Sequence, residues 1–282
     1  MSVDASPSRT AVMAAVSRGR HAIEDPPAIL HDPLTLELVG PAWTRIADSG
    51  DRRRSPELAR QSRASMAVRS RYAEDRLALG RYGQYVLLGA GLDTYAWRHP
   101  GGLDTLTVVE VDHPASQAWK RRRLDELGLP VHERHVFAPV DFEVTSLDDG
   151  LDAAGVDRSV PTLFSWLGVV PYLTEEAVER TLRTVARWAP GSEVVLEYAL
   201  PRSALDDVGL EFATMFSPVA TRVGEPLRHR STPAGAERLV TRCGLMVTDH
   251  PDRGELTERY FADRADGLRP WSVSRLLAAT VP

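Results

Sequence analysis

The sequence predicts an α/β fold: a mostly parallel sheet of seven strands with helices on both faces, an N-terminal helical extension and an inserted cap segment. Three observations carry that expectation. From residue 85 onward, short apolar runs alternate with helical patterns, as in successive βαβ units. The first run (YVLL, 85–88) ends in Gly89-Ala90-Gly91, where the missing side chains let a ligand approach the backbone. Acidic residues then recur where the next strands end, at Glu110, Asp112 and Asp141.

Ahead of the sheet, residues 10–20 and 33–39 have short helical patterns joined by the turn Asp25-Pro26-Pro27. The segment 41–55, with Gly50 and an arginine run, reads as a loop. A long helix is expected over 56–79, since Pro56 suits a first helical position and Gly80 a stop. Met66, Val68, Tyr72 and Leu77 are its buried positions. Strands follow at 85–88, 105–111, 135–140, 162–167 and 193–200, with a helix over 114–127 and another opening at Thr174. Right-handed crossovers between such strands put every carboxyl end on one edge of the sheet. Residues 200–229 break the rhythm and carry Phe212, Met215, Phe216 and Pro218, which suits a lid over a substrate. A helix over 232–243 (Thr232 at its cap), a strand at 245–248, a helix near 257–264 and a last strand near 276–281 complete the chain. This is a Rossmann-like organisation read as a single domain over 1–282: N-terminal helices to 80, a ligand-binding core over 81–199, a cap over 200–230 and the rest of the core beyond.

The charge balance narrows the partners. A net charge of −5 over 282 residues favours neither nucleic acid nor a membrane surface, and leaves a small-molecule substrate as the expected partner. The one cysteine, Cys243, rules out a disulfide framework and a cysteine-based metal site. His21, His31, His99, His132 and His250 lack metal-ligand spacing. With no signal-type or membrane-length apolar run, a cytoplasmic location is expected.

The strand ends describe a ligand. Asp112, with Glu110 as the alternative, lies about twenty residues past the glycine turn, where a carboxylate accepts from ribose hydroxyls. Asp112 can equally cap the helix opening at Pro114. Asp141-Phe142 offers an acceptor for an exocyclic amine beside an aromatic face, and Ser165 and Glu197-Tyr198 end the next two strands. An adenosine-containing ligand fits this set. A dinucleotide fingerprint would want a third glycine where Thr94 stands, and Asp93 would repel a pyrophosphate at the helix start. S-adenosyl-L-methionine has no phosphate and carries a sulfonium cation, so it suits the acidic turn.

Four segments resemble a known family in order: RSRYAED (69–75), GAGLDT (89–94), EVDHP (110–114) and PYLT (171–174). They look like the leucine carboxyl methyltransferase family of class I S-adenosylmethionine-dependent methyltransferases, and most like its bacterial branch of tetracenomycin-type polyketide carboxyl O-methyltransferases. The resemblance implies that Arg71, or Arg69 beside it, pairs with the cofactor's carboxylate. It also implies that Gly89, Ala90 and Gly91 let the cofactor lie against the backbone, that Asp112 or Glu110 holds the ribose, and that Asp141 and Phe142 hold the adenine. One departure stands out: many relatives carry Glu where this chain has Leu167, and Ser165 or backbone carbonyls then take over that contact.

The implied activity is O-methylation of a small-molecule carboxylate in specialised metabolism. A carboxylate is ionised at neutral pH and needs a cationic or hydrogen-bonding clamp, for which Arg202, Arg228, Tyr198 and Tyr172 are candidates. A phenol or alcohol acceptor would need a base, and His113 and His229 are the candidates. A non-catalytic nucleoside-binding partner domain is the reading from a different class.

Overall fold

The computed structural model describes residues 8–51, 54–141, 146–222, 224 and 226–282. Helix α1 (Arg9–Glu24) starts where the Ser8 hydroxyl accepts from the Ala11 N–H, and α2 (Leu34–Val39) packs on it. The segment expected to be a loop forms helix α3 (Pro41–Asp51) instead. Gly40, at φ 78°, turns the chain out of α2, and Pro41 takes the position where its missing N–H costs nothing. Ala47 is then buried among Leu38, Val39 and Trp119, so packing overrides the weak local signal.

Helix α4 (Pro56–Leu79) has the expected bounds, with the Ser55 hydroxyl capping it at Leu58 N–H and the Gly80 N–H closing on Arg76 O. Met66, Val68, Tyr72 and Leu77 are buried. The alternating part follows in order: β1 (Gln84–Leu88), α5 (Tyr95–Arg98), β2 (Thr107–Asp112), α6 (Pro114–Glu126), β3 (His135–Pro139), α7 (Leu147–Ala153), β4 (Thr162–Trp166), α8 (Glu175–Val185), β5 (Glu193–Ala199), α9 (Asp207–Arg222), α10 (Pro233–Arg242), β6 (Met246–Asp249), α11 (Arg253–Phe261) and β7 (Ser274–Thr280). The short α7 carries no sequence expectation above. The cap segment is largely helical: α9 fills it and keeps Pro218 inside.

The seven strands order as β3-β2-β1-β4-β5-β7-β6. β1 to β5 are parallel, whereas β7 runs antiparallel to both β5 and β6. Every residue of β1, β4 and β5 is buried, as apolar strands covered on both faces must be. One core lies between the sheet and α7, α8 and α10, with Trp166 and Trp188 in it. A second lies on the other face, with Tyr72, Tyr85 and Leu276. The strand order reverses direction between β1 and β4, which opens a crevice at their carboxyl ends. No helix among the described residues is long and apolar enough to cross a membrane.

Candidate functional site

A cavity of about 520 Å³ occupies that crevice, within the range of about 300–1,000 Å³ usual for small-molecule sites. Its floor is the glycine turn. Gly89 (φ 70°) and Gly91 (φ 53°) adopt the left-handed conformation, and the N–H groups of Gly89 and Ala90 both donate to Val111 O, at 2.8 and 3.0 Å. This ties the turn to β2.

Asp112 completes the tie. One carboxylate oxygen accepts from Gly91 N–H and the other from His113 N–H at 2.7 Å. Burial pushes its pKa up against those two donors. Asp93 accepts from Tyr95 N–H at 2.7 Å, and burial raises its pKa too, opposed by Arg18, Arg98 and Lys120. Asp141 lies 3.7 Å from His113 Nε2, and both line the cavity. Phe142 lies outside the described residues.

On the far wall Arg69 of α4 donates to Glu197 of β5 at 2.7 Å, and Ser274 Oγ donates to the other Glu197 oxygen at 2.6 Å. Gly168 passes so close that a Cβ there would lie 2.9 Å from Arg69 Nη1. Ser165, Leu167 and Tyr172 also line the cavity. Beyond Arg69 it continues toward α9, where Arg54, Ser62, Met66, Phe212, Phe216, Leu227 and Trp271 line it.

Six residues singled out from the sequence lie elsewhere. Arg71 is two residues from Arg69, about 200° around the helix; it bonds Asp75 at 2.7 Å and Ile29 O at 3.3 Å outside the cavity. Glu110 is buried under α6, where it accepts from Lys120 Nζ at 2.6 Å and meets His135 Nε2 at 3.1 Å. Burial alone would raise its pKa, but Lys120 and His135 hold it below the usual carboxylate range. Tyr198 alternates with Glu197 across the sheet, so its hydroxyl meets His250 Nε2 at 2.8 Å on the other face. Arg202 is exposed and bonds Thr214 at 3.1 Å. Arg228 is exposed as well, while His229 is buried; both donate their backbone N–H to Pro171 O. Burial lowers the His229 pKa, with Glu175 opposing.

Two contributions were missed in the sequence. Helix α1 roofs the glycine turn through Ala11, Ala14, Ala15 and Arg18. Arg18 bonds Asp32 and Leu92 O, each at 2.7 Å, and Thr94 also donates to Asp32 at 2.7 Å. Spacing of 11, 14, 15 and 18 is a one-face helical stripe, and that small-residue stripe was the available signal. Glu197 reads from the sequence only as a strand end, and nothing local signals its pairing to Arg69.

The profile of the leucine carboxyl methyltransferase family matches residues 11–186. The chain belongs to that family. YktD of Bacillus subtilis, named as a candidate S-adenosyl-L-methionine-dependent methyltransferase, is 34% identical over 66% of this chain and 61% of its own length. A like-named protein of Mycolicibacterium gilvum is 35% identical over 96% of this chain and 93% of its own. The fold recurs in a crystal structure of a DUF574 family protein from Streptomyces avermitilis, with a TM-score of 0.64, 18% identity and full coverage of both chains. It recurs also in a candidate methyltransferase of Thermobifida fusca, with a TM-score of 0.62, 18% identity and coverage of 98% and 96%.

Proposed function

We propose that this family member is an S-adenosyl-L-methionine-dependent O-methyltransferase that acts on the carboxylate of a small molecule, of the kind found in polyketide-like specialised metabolism. The donor set suits that cofactor. Arg69 and Glu197 offer opposite charges side by side, as an amino-acid zwitterion requires, and Glu197 supplies the carboxylate that Leu167 does not. Asp112 and Asp141 suit the ribose and the adenine, and the acidic turn at Asp93 suits a cation over a phosphate. When bound, the cofactor supplies a methyl group that an ionised carboxylate takes up with no proton to remove.

The observation that carries the choice of acceptor is on the α9 side of the cavity. Among the described residues that line it there, none is an aspartate, a glutamate or a histidine, and a carboxylate acceptor, ionised at neutral pH, needs no such base. The protein's own work is then to orient the acceptor and exclude water, which is where most of the acceleration in such a transfer arises.

Incubation with S-adenosyl-L-methionine and a panel of carboxylic acids, read by mass spectrometry, tests the reading. A base-labile methylated product is expected. A base-stable product would move the acceptor to a phenol or alcohol. No cofactor binding by calorimetry, with the protein folded, would remove the methyl-transfer reading.

A further inference from the structure

We infer that Lys120 is a positioning residue for the cofactor site: its ammonium holds the Asp93 carbonyl from behind and so sets the acidic turn. This role rests on the proposed seat of S-adenosyl-L-methionine on the glycine turn, and Lys120 serves it from outside the cavity lining.

Buried cations take two successive carbonyls of the turn. Arg18 of α1 donates to Leu92 O at 2.7 Å, and Lys120 of α6 donates to Asp93 O at 2.6 Å. Each cation is balanced by a carboxylate outside the cavity: Arg18 by Asp32 at 2.7 Å and Lys120 by Glu110 at 2.6 Å. The Asp93 N–H donates to Ala90 O at 2.9 Å. Holding the Asp93 carbonyl as well fixes the planar peptide unit that joins it to Thr94. The Asp93 side chain lines the cavity and leans on that same backbone, accepting from Tyr95 N–H at 2.7 Å. Lys120 is 1% exposed, and its charge opposes the burial that pushes the Asp93 and Asp112 pKa values up.

The choice of residue points the same way. Of the 34 lysines and arginines in the chain, Lys120 is the one lysine. Its ammonium serves Asp93 O, Glu110 Oε2 and the Trp97 ring, whose centroid lies 5.3 Å away. A compact ammonium with rotatable donors suits partners so arranged, whereas the planar guanidinium fork suits a flat partner on one side. A pair there only to join α6 to the sheet would need no bond to the turn. Glu110 alone would serve for that, and His135 Nε2 already meets its other oxygen at 3.1 Å.

Variants of the full chain separate positioning from mere support. Lys120→Met breaks the bond to Asp93 and leaves Glu110 with an uncompensated charge. Adding Glu110→Gln removes that charge and keeps the bond broken. Calorimetry with S-adenosylhomocysteine is expected to give about tenfold weaker binding in both variants. The melting temperature should fall by roughly 6–12 °C in the single variant and recover in the double one. Where Lys120→Met does not fold, the double variant carries the comparison. Affinity that recovers together with the melting temperature would assign Lys120 to stability alone and overturn the role. A second readout uses the single lysine: with carbon-13-labelled lysine the unaltered protein gives one side-chain ε-carbon signal. That signal should shift as S-adenosylhomocysteine saturates the site, and a signal unmoved at saturation overturns the role. No binding by the unaltered, folded protein removes the cofactor seat and this role with it. Binding that both variants retain in full removes only the role of Lys120.

Discussion

Arg69 and Glu197 are 128 residues apart in the chain and 2.7 Å apart in the cavity wall. Their side chains are 14% and 6% exposed, so the pair is largely withdrawn from water. Truncating one member of such a pair leaves an uncompensated charge, and Glu197→Ala should cost about 3 kcal/mol of stability. Glu197→Gln keeps the shape and removes the charge. It is expected to leave a folded protein whose affinity for S-adenosyl-L-methionine falls about tenfold, the worth of one charge-assisted hydrogen bond. Calorimetry with the cofactor checks this, and an unchanged affinity would take Glu197 out of the cofactor site.

What was legible in the sequence divides along physical lines. The strands and α4 announce themselves through local periodicity and turn chemistry, and the structure keeps their places to within a residue or two. The glycine turn and Asp112 are legible for the same reason, because about twenty residues of a βαβ unit fix their separation. Side-chain direction was less legible. Helical geometry says that Arg69 and Arg71 face different ways, and strand geometry says the same of Glu197 and Tyr198. Neither says which member faces the ligand, since that depends on what packs behind. The Arg69–Glu197 pair needs tertiary structure outright. Helix α3 was hidden because Gly50 and the arginine run mask a helix that tertiary burial of Ala47 supports.

Tyr198 tests that distinction directly. Its hydroxyl meets His250 Nε2 at 2.8 Å, and His250 Nδ1 meets Glu237 at 2.7 Å. This chain of bonds joins β5 to α10 on the face of the sheet away from the cavity. Tyr198→Phe is therefore expected to lower stability by about 1 kcal/mol, one hydrogen bond, and to leave the kcat and KM of methyl transfer unchanged. A raised KM for the acceptor would return Tyr198 to the substrate clamp that the sequence alone allowed.

The clasp between α1 and α4 gives a pH dependence with a definite sign. Asp25, at the end of α1, accepts from Arg63 of α4 at 2.7 and 2.8 Å and lies 3.2 Å from His21. Burial pushes the Asp25 pKa up, but Arg63 and His21 outweigh it and hold it at about 2. A carboxylate depressed in the fold stabilises it above the unfolded value of about 3.9. That contribution is lost as the pH falls through about 2. In urea melts between pH 5 and pH 2, Asp25→Asn should be less stable than the unaltered protein at pH 5, with the gap closing toward pH 2. A gap constant across that range would mean that Asp25 acts through packing and not through its charge.

The two glycines of the turn should respond differently to the same methyl group. Both are in the left-handed region, where an alanine costs roughly 1–2 kcal/mol. At Gly89 the added Cβ would lie 2.3 Å from Val169 Cγ2, and a β-branched valine has little rotamer freedom with which to yield. Gly89→Ala is therefore expected to damage the fold itself, with a melting temperature lowered beyond the backbone cost alone. At Gly91 the nearest atom is Ala11 Cβ at 3.5 Å, an ordinary contact. There the cost is the backbone's alone, a drop of roughly 2–8 °C for a chain of this size. Because Gly91 forms part of the cavity floor, its new methyl group stands where the cofactor is proposed to lie. Gly91→Ala should thus stay folded and lose cofactor affinity, a separation that thermal melts and calorimetry on the two variants resolve. Full cofactor affinity in a folded Gly91→Ala protein would mean that the ligand does not rest on the glycine turn.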